Sequence, residues 1–245
     1  MKLWFVVPLI GLIVACGQRP APTIALKISQ ENAALLDGLG NYPDLETLTI
    51  SCLENLRALP DSIGKLAKLK ALIIDNGNGC SMNPVLPELI GGLQQLEKLV
   101  LYGAQDPRAE GRDHPPQPTD RHPFPASMAQ LKNLRYLDLG RNGFDEVPAF
   151  ATKLPKLTEL RLQANVALKA LPPSIADLHE LTTLKLDGNS FADLPDFLNA
   201  LPKLTTVSLG DNCAITQSAA KKIALKARFP KIQFDFTDEF DCPEP

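Results

Sequence analysis

Four side chains in one proline-rich stretch, Asp113, His114, Asp120 and His122, are of the types that could ligate a metal ion. Two His and two Asp in this order match no ligand spacing of known geometry, so neither a metal nor any other cofactor is expected. No catalytic constellation stands elsewhere: there is no Gly-x-Ser-x-Gly elbow, no His-Glu-x-x-His and no phosphate loop. Asp75-Asn-Gly-Asn-Gly79 is glycine-rich, but no Lys-Ser/Thr follows it, so it reads as a turn. The chain is therefore not expected to be an enzyme. What remains for chemistry is recognition. Polar and aromatic residues alternate with leucines at Lys98, Tyr102, Tyr136, Asp138, Glu159, Arg161, Gln163, Lys185 and Asp187. The formal net charge is −3 with mixed signs, which gives no reason to expect a nucleic acid partner.

The alternation belongs to a recurring phrase. Leu134-x-x-Leu137-x-Leu139-x-x-Asn142 returns at Leu157 to Asn165, Leu181 to Asn189 and, with Val207 in the second slot, Leu204 to Asn212. Its first leucines are spaced by 23, 24 and 23 residues. A fixed period of this size means one structural unit stacked on copies of itself. Looser copies begin at Leu45, Leu69 and Leu96, with Leu53, Gly77 and Ala104 in the asparagine slot. The second half of each unit recurs too, as Leu59-Pro60-Asp-Ser-Ile63, Leu171-Pro172-Pro-Ser-Ile175 and Leu194-Pro195-Asp-Phe197-Leu198.

These seven units resemble the leucine-rich repeat family, in the form that carries Leu-Pro before a short convex segment. The resemblance implies an α/β solenoid: parallel strands on a concave face, short helical or 3₁₀ segments on the convex one. The last two leucines of Leu-x-x-Leu-x-Leu are two apart, so on a strand they share the interior face. The asparagine amide can satisfy turn backbone groups that a buried bend would orphan. Pro60 and Pro172 suit a first helical position, where a missing N–H costs little. Ile63, Leu66 and Leu69 recur every third residue, as a 3₁₀ turn requires.

In that register the nine polar and aromatic residues named above lie on the concave face, together with Val100, Thr183, Thr206 and Ser208. The strip has two tyrosines and an arginine near its middle, the residue types that anchor protein interfaces. One unit breaks period. From Leu96 to Leu134 is 38 residues, and the excess of about 14 falls in residues 103–125, which hold the His/Asp stretch. An insertion of this kind emerges as a loop, often on the binding face. Leaving after the strand that ends at Leu101, it should overhang the concave rim.

The ends of the chain speak to location. Residues 1–15 read as a signal peptide, with Lys2 and an apolar run too short for a membrane span. Ala15-Cys16 resembles a bacterial lipobox, which implies lipidation of Cys16, a tether over residues 16–23 and anchoring in the cell envelope. Gly17 favours the outer membrane if the source is Gram-negative. Residues 24–44 then form an N-terminal capping unit, 45–212 the repeats, and 213–245 a C-terminal cap with a helix over 217–228, a final strand and an acidic tail. Four mature cysteines allow three pairings. The repeat register places Cys52 and Cys80 past neighbouring strands, and Cys213 and Cys242 likewise, so Cys52–Cys80 and Cys213–Cys242 are the expected disulfides. The expected function is a membrane-anchored scaffold that binds a protein through the concave strip and the loop. A structural envelope role without one specific ligand, or a glycan-binding module, are the alternatives. Neither oligomeric state nor partner is encoded legibly.

Overall fold

The computed structural model describes residues 24–51, 53, 56–75, 84–104, 123–239 and 242. Their strands form one parallel sheet in strict chain order: β1 (Ile24–Ile28), β2 (Leu45–Ser51), β3 (Ala71–Asp75), β4 (Lys98–Tyr102), β5 (Tyr136–Asp138), β6 (Glu159–Arg161), β7 (Thr183–Lys185), β8 (Thr206–Ser208) and β9 (Gln233–Asp235). Every strand pairs only with its neighbours in sequence, so β1 and β9 are open edges and the sheet does not close. This is the leucine-rich repeat solenoid. Among the described residues no helix is long and apolar enough to cross a membrane.

The phrase-bearing leucines form one continuous core. Leu137, Leu160, Leu184 and Val207 are in mutual register and fully buried, as are Leu139, Leu162, Leu186 and Leu209 behind them. In the six coils from β2 to β8 the opposite side is a five-residue 3₁₀ segment, such as Asp61–Lys65 or Pro173–Asp177, whose Ile63 or Ile175 points into the same core. Proline starts each of these segments one residue earlier than the sequence reading places it. Pro60, Pro87, Pro125, Pro148, Pro172 and Pro195 are caps with extended ψ between 130° and 151°, not first helical residues. Their rings hold φ near the value the cap needs, and each carbonyl accepts the first 3₁₀ hydrogen bond, for example from Ile63 N at 3.0 Å. Pro87 repeats the device after an intact Leu86-Pro87, and Pro125 and Pro148 repeat it where Phe124 and Val147 replace the leucine.

The asparagines stitch coil to coil. Asn165 Nδ2 donates to the Leu139 carbonyl of the preceding coil at 3.1 Å and to its own Leu162 carbonyl at 2.8 Å. Its Oδ1 accepts from the backbone N–H of Asn142 and of Phe144, at 3.0 and 3.1 Å. Asn142, Asn189 and Asn212 repeat the donor half of this pattern. The Asn189 Oδ1 is buried and finds no partner among the described residues. The coil before it is the one of 24 residues, and there the Leu168 N–H turns back to the Asn165 carbonyl at 2.7 Å instead.

Where the asparagine is absent, the strands run longer. β2, β3 and β4 have 7, 5 and 5 residues, against 3 each for β5 to β8. Continued strand pairing, Ser51 with Asp75 and Asp75 with Tyr102, supplies partners at positions where the other coils have already turned. Strand β4 ends at Tyr102, one residue beyond the expected Leu101, and the described chain resumes at residue 123, with Phe124 next. That ring packs against Phe144 and Phe150 at 5.7 and 5.4 Å between centroids and pins the return point. The loop between, with Asp113, His114, Asp120 and His122, lies outside the described residues.

The C-terminal cap begins with a short turn of helix, α1 (Cys213–Thr216), which the sequence reading lacks, and continues in α2 (Ala219–Arg228). Ser218 caps α2 by accepting from Lys221 N at 3.3 Å. Arg228 at its end grips Asp193 through both terminal nitrogens, at 3.1 and 2.7 Å, and holds that carboxyl below its ordinary range. Cys213 and Cys242 are joined, with 5.4 Å between their Cα atoms, as expected. Cys52, Cys80 and Cys16 lie outside the described residues.

Two outcomes follow for stability. Asn165→Ala orphans buried groups in two coils at once and should cost roughly 3–5 kcal/mol, read from urea unfolding. Replacing Cys213 and Cys242 by serine opens a 29-residue loop and should cost about 3 kcal/mol in the same measurement.

Candidate partner-binding face

Register decides which side chains meet. One row across the concave face reads Lys98, Tyr136, Glu159, Thr183, Thr206; the next reads Val100, Asp138, Arg161, Lys185, Ser208. Neighbours in a row sit at strand spacing, so each touches the residues before and after it. The nine candidates from the sequence all fall on or beside these rows, but they are not equivalent.

Tyr136 is the hub. The Lys98 ammonium lies 4.8 Å from its ring centroid and the Arg161 guanidinium 5.2 Å, so two cations share one aromatic ring. Its hydroxyl donates to Asp138 Oδ2 at 3.5 Å. Burial, followed by the Asp138 charge, pushes the phenol up to about 12. Arg161 is fixed a second time by Glu159, which accepts from its Nε at 2.6 Å. Desolvation works against that guanidinium's charge, but the Glu159 hydrogen bond prevails and its pKa is raised.

Asp138 was expected on the open strip, yet it is only 6% exposed. Burial raises its pKa, and its Oδ1 accepts from Gly140 N at 2.9 Å, which partly offsets that cost. Asp138 helps to shape the turn. Gln163 and Asp187 lie past the ends of β6 and β7, in the turns. Asp187 resembles Asp138 in use: Oδ1 accepts from Gly210 N at 3.0 Å and Oδ2 from the Ser208 hydroxyl.

At the C-terminal ends of these strands lies a groove of about 720 Å³. Tyr102, Arg161, Gln163, Lys185 and Asp187 line it, joined by Arg141, Asp211 and Glu239, which the sequence reading did not single out. The signal for Arg141 and Asp211 was present in the phrase itself. The residue before the asparagine slot has positive φ in every coil from Gly103 on: 64° there, then 57° at Arg141, 57° at Ala164, 66° at Gly188 and 56° at Asp211. Such backbone favours glycine, and three coils accept other residues there at a cost of about 1–2 kcal/mol each. The bend turns a backbone N–H to the next coil, from Arg141 to the Gln163 carbonyl at 2.9 Å and from Ala164 to the Asp187 carbonyl at 2.8 Å. In the last repeat the acidic tail takes over: Asp238 accepts from Asp211 N, and Glu239 N donates back to Asp211 at 2.9 Å. Glu239 reaches the groove because the tail is fastened in this way.

An ultraviolet titration of the phenolate band should show one tyrosine ionising near 12, while the unfolded chain titrates near its ordinary value of about 10. The folded phenol is the raised group, so its stabilising contribution is present below about pH 10 and is lost as pH rises toward 12. Asp138→Asn should move that tyrosine back toward the ordinary value.

Residues 132–191 match the family model described as Leucine rich repeat. No curated protein matches the sequence. Among solved structures, an LRR protein of Leptospira interrogans superposes with a TM-score of 0.55 at 22% identity, over 90% of this chain. The present chain spans 62% of that one's length. Human 5T4 (Wnt-activated inhibitory factor 1, trophoblast glycoprotein) gives 0.55 at 21% identity, covering 78% of this chain and 68% of its own. InlP of Listeria monocytogenes gives 0.54 at 22%, covering 76% and 48%. At these identities the likeness carries the fold alone. The molecule is a leucine-rich repeat solenoid in fold, and the leucine-rich repeat model matches part of its regular stretch, residues 132–191.

Proposed function

We propose that this chain is a binding scaffold that takes a protein partner on the C-terminal part of its concave face, assisted by the 103–125 loop, while a lipid on Cys16 holds it at the cell envelope. The observation that carries the binding reading is the Tyr136 cluster. A tyrosine and an arginine, the usual anchors of interfaces, are locked in one conformation by neighbours instead of moving freely in solvent. Side chains ordered before a partner arrives lose little entropy when it docks. The solenoid adds breadth, since each coil contributes side chains to one continuous surface. The anchoring reading is supported by the sequence: the apolar leader and Ala15-Cys16.

The test has two arms. Affinity capture from an envelope extract should yield a protein that the wild type retains and a Tyr102, Tyr136, Arg161 triple alanine variant loses; equal recovery of every protein removes the concave strip from consideration. Metabolic labelling with a radioactive fatty acid should mark the wild type and leave Cys16→Ser unlabelled. Label on both, or on neither, rejects the anchor.

A further inference from the structure

Donors and acceptors on the concave face do not balance. Glu159 is engaged by Arg161, and both oxygens of Asp138 and of Asp187 are taken by neighbouring N–H and O–H groups. The carboxylates of the two rows are thus satisfied from within. The cations are not. Arg161 commits its Nε to Glu159 and its ring-facing side to Tyr136, leaving both terminal nitrogens without a hydrogen-bond partner among the described residues. Lys185, its register partner on β7, makes no hydrogen bond or ion pair among them; its charge reaches Asp235 on β9, whose Oδ1 is already taken by Thr237 N at 3.0 Å. Both line the same groove.

Building on the protein-binding reading above, the geometry points to a carboxylate subsite: Arg161 and Lys185 receive an acidic side chain from an extended segment of the protein partner. Two adjacent cations, one a planar fork pinned by Tyr136 and Glu159, present several N–H donors to one small volume. A carboxylate matches that fork with two parallel hydrogen bonds, and the adjacent ammonium adds a point charge. The half-buried setting makes each bond stronger than it would be in open solvent. Asp211 and Glu239 stand at the far rim of the groove. They repel a second acidic group placed further along, and so set the direction in which the acidic side chain enters.

The probe is a fluorescein-labelled hexaglutamate peptide, with hexaglutamine as the uncharged comparison, followed by anisotropy on the full chain. Wild type should bind hexaglutamate at least about tenfold more tightly than hexaglutamine, and Arg161→Gln with Lys185→Gln should remove that preference. Lys203→Gln, an exposed cation paired to Glu180 elsewhere, should leave it intact. Should the double variant melt early, Lys185→Gln alone is used, since the Lys185 ammonium makes no hydrogen bond among the described residues and only a distant charge contact with Asp235. Equal binding of the two peptides overturns the assignment. So does full displacement by inorganic phosphate at equal charge, which marks general anion attraction. If the peptide fails while the captured envelope protein still depends on Tyr102, Tyr136 and Arg161, the carboxylate subsite falls and the protein-binding reading stands.

Discussion

A coil of about 23 residues cannot satisfy its own backbone. Its strand has partners only in the coils above and below, and its buried bend leaves carbonyl and N–H groups facing apolar side chains. Everything else in this molecule depends on how those groups are met. From Asn142 to Asn212 one buried amide per coil spans two coils at a time, reaching back to the leucine carbonyl of the preceding strand. In the N-terminal half longer strands do this work by ordinary ladder pairing. The two halves solve one problem by different means, and the insertion sits where the means change.

The same bend builds the binding face. Ending the strand early and turning through positive φ brings Arg141, Ala164 and Gly188 to the rim, and it sends Asp138 and Asp187 inward to hold turn N–H groups. Acidic residues are consumed by architecture while Arg161 and Lys185 remain for a partner. The charge character of the groove is therefore a product of the fold's hydrogen-bonding needs, and a count of acidic and basic residues misjudges it.

Much of this was legible in the sequence. Leucine spacing gave the sheet order, the core rows and the register of the concave residues, because burial of a period-two face leaves no freedom of register. The Cys213–Cys242 pair followed from the same register. What escaped was anything decided by a side chain's local partner. Asp138 looks like any exposed strand residue until Gly140 N and Tyr136 are placed beside it. Pro60 and Pro172 read as helix starts, whereas a 3₁₀ turn closes one residue sooner and leaves the proline as the cap. Glu239 could not be foreseen at the groove, since only the folded tail brings it back to Asp211.

The proline caps carry a consequence for assembly of the chain in time. Six X–Pro bonds, from Pro60 to Pro195, are all trans in the folded molecule and each stands at the same station of its coil. An unfolded chain populates cis at each such bond to roughly 10–30%, so between about a tenth and a half of unfolded molecules carry the full trans set. A cis bond at one station disturbs the 3₁₀ segment of that coil and its contacts with the coils on either side. The uniformity that makes the solenoid simple in space also gives six of its coils one shared conformational requirement, a trans X–Pro bond at the same station.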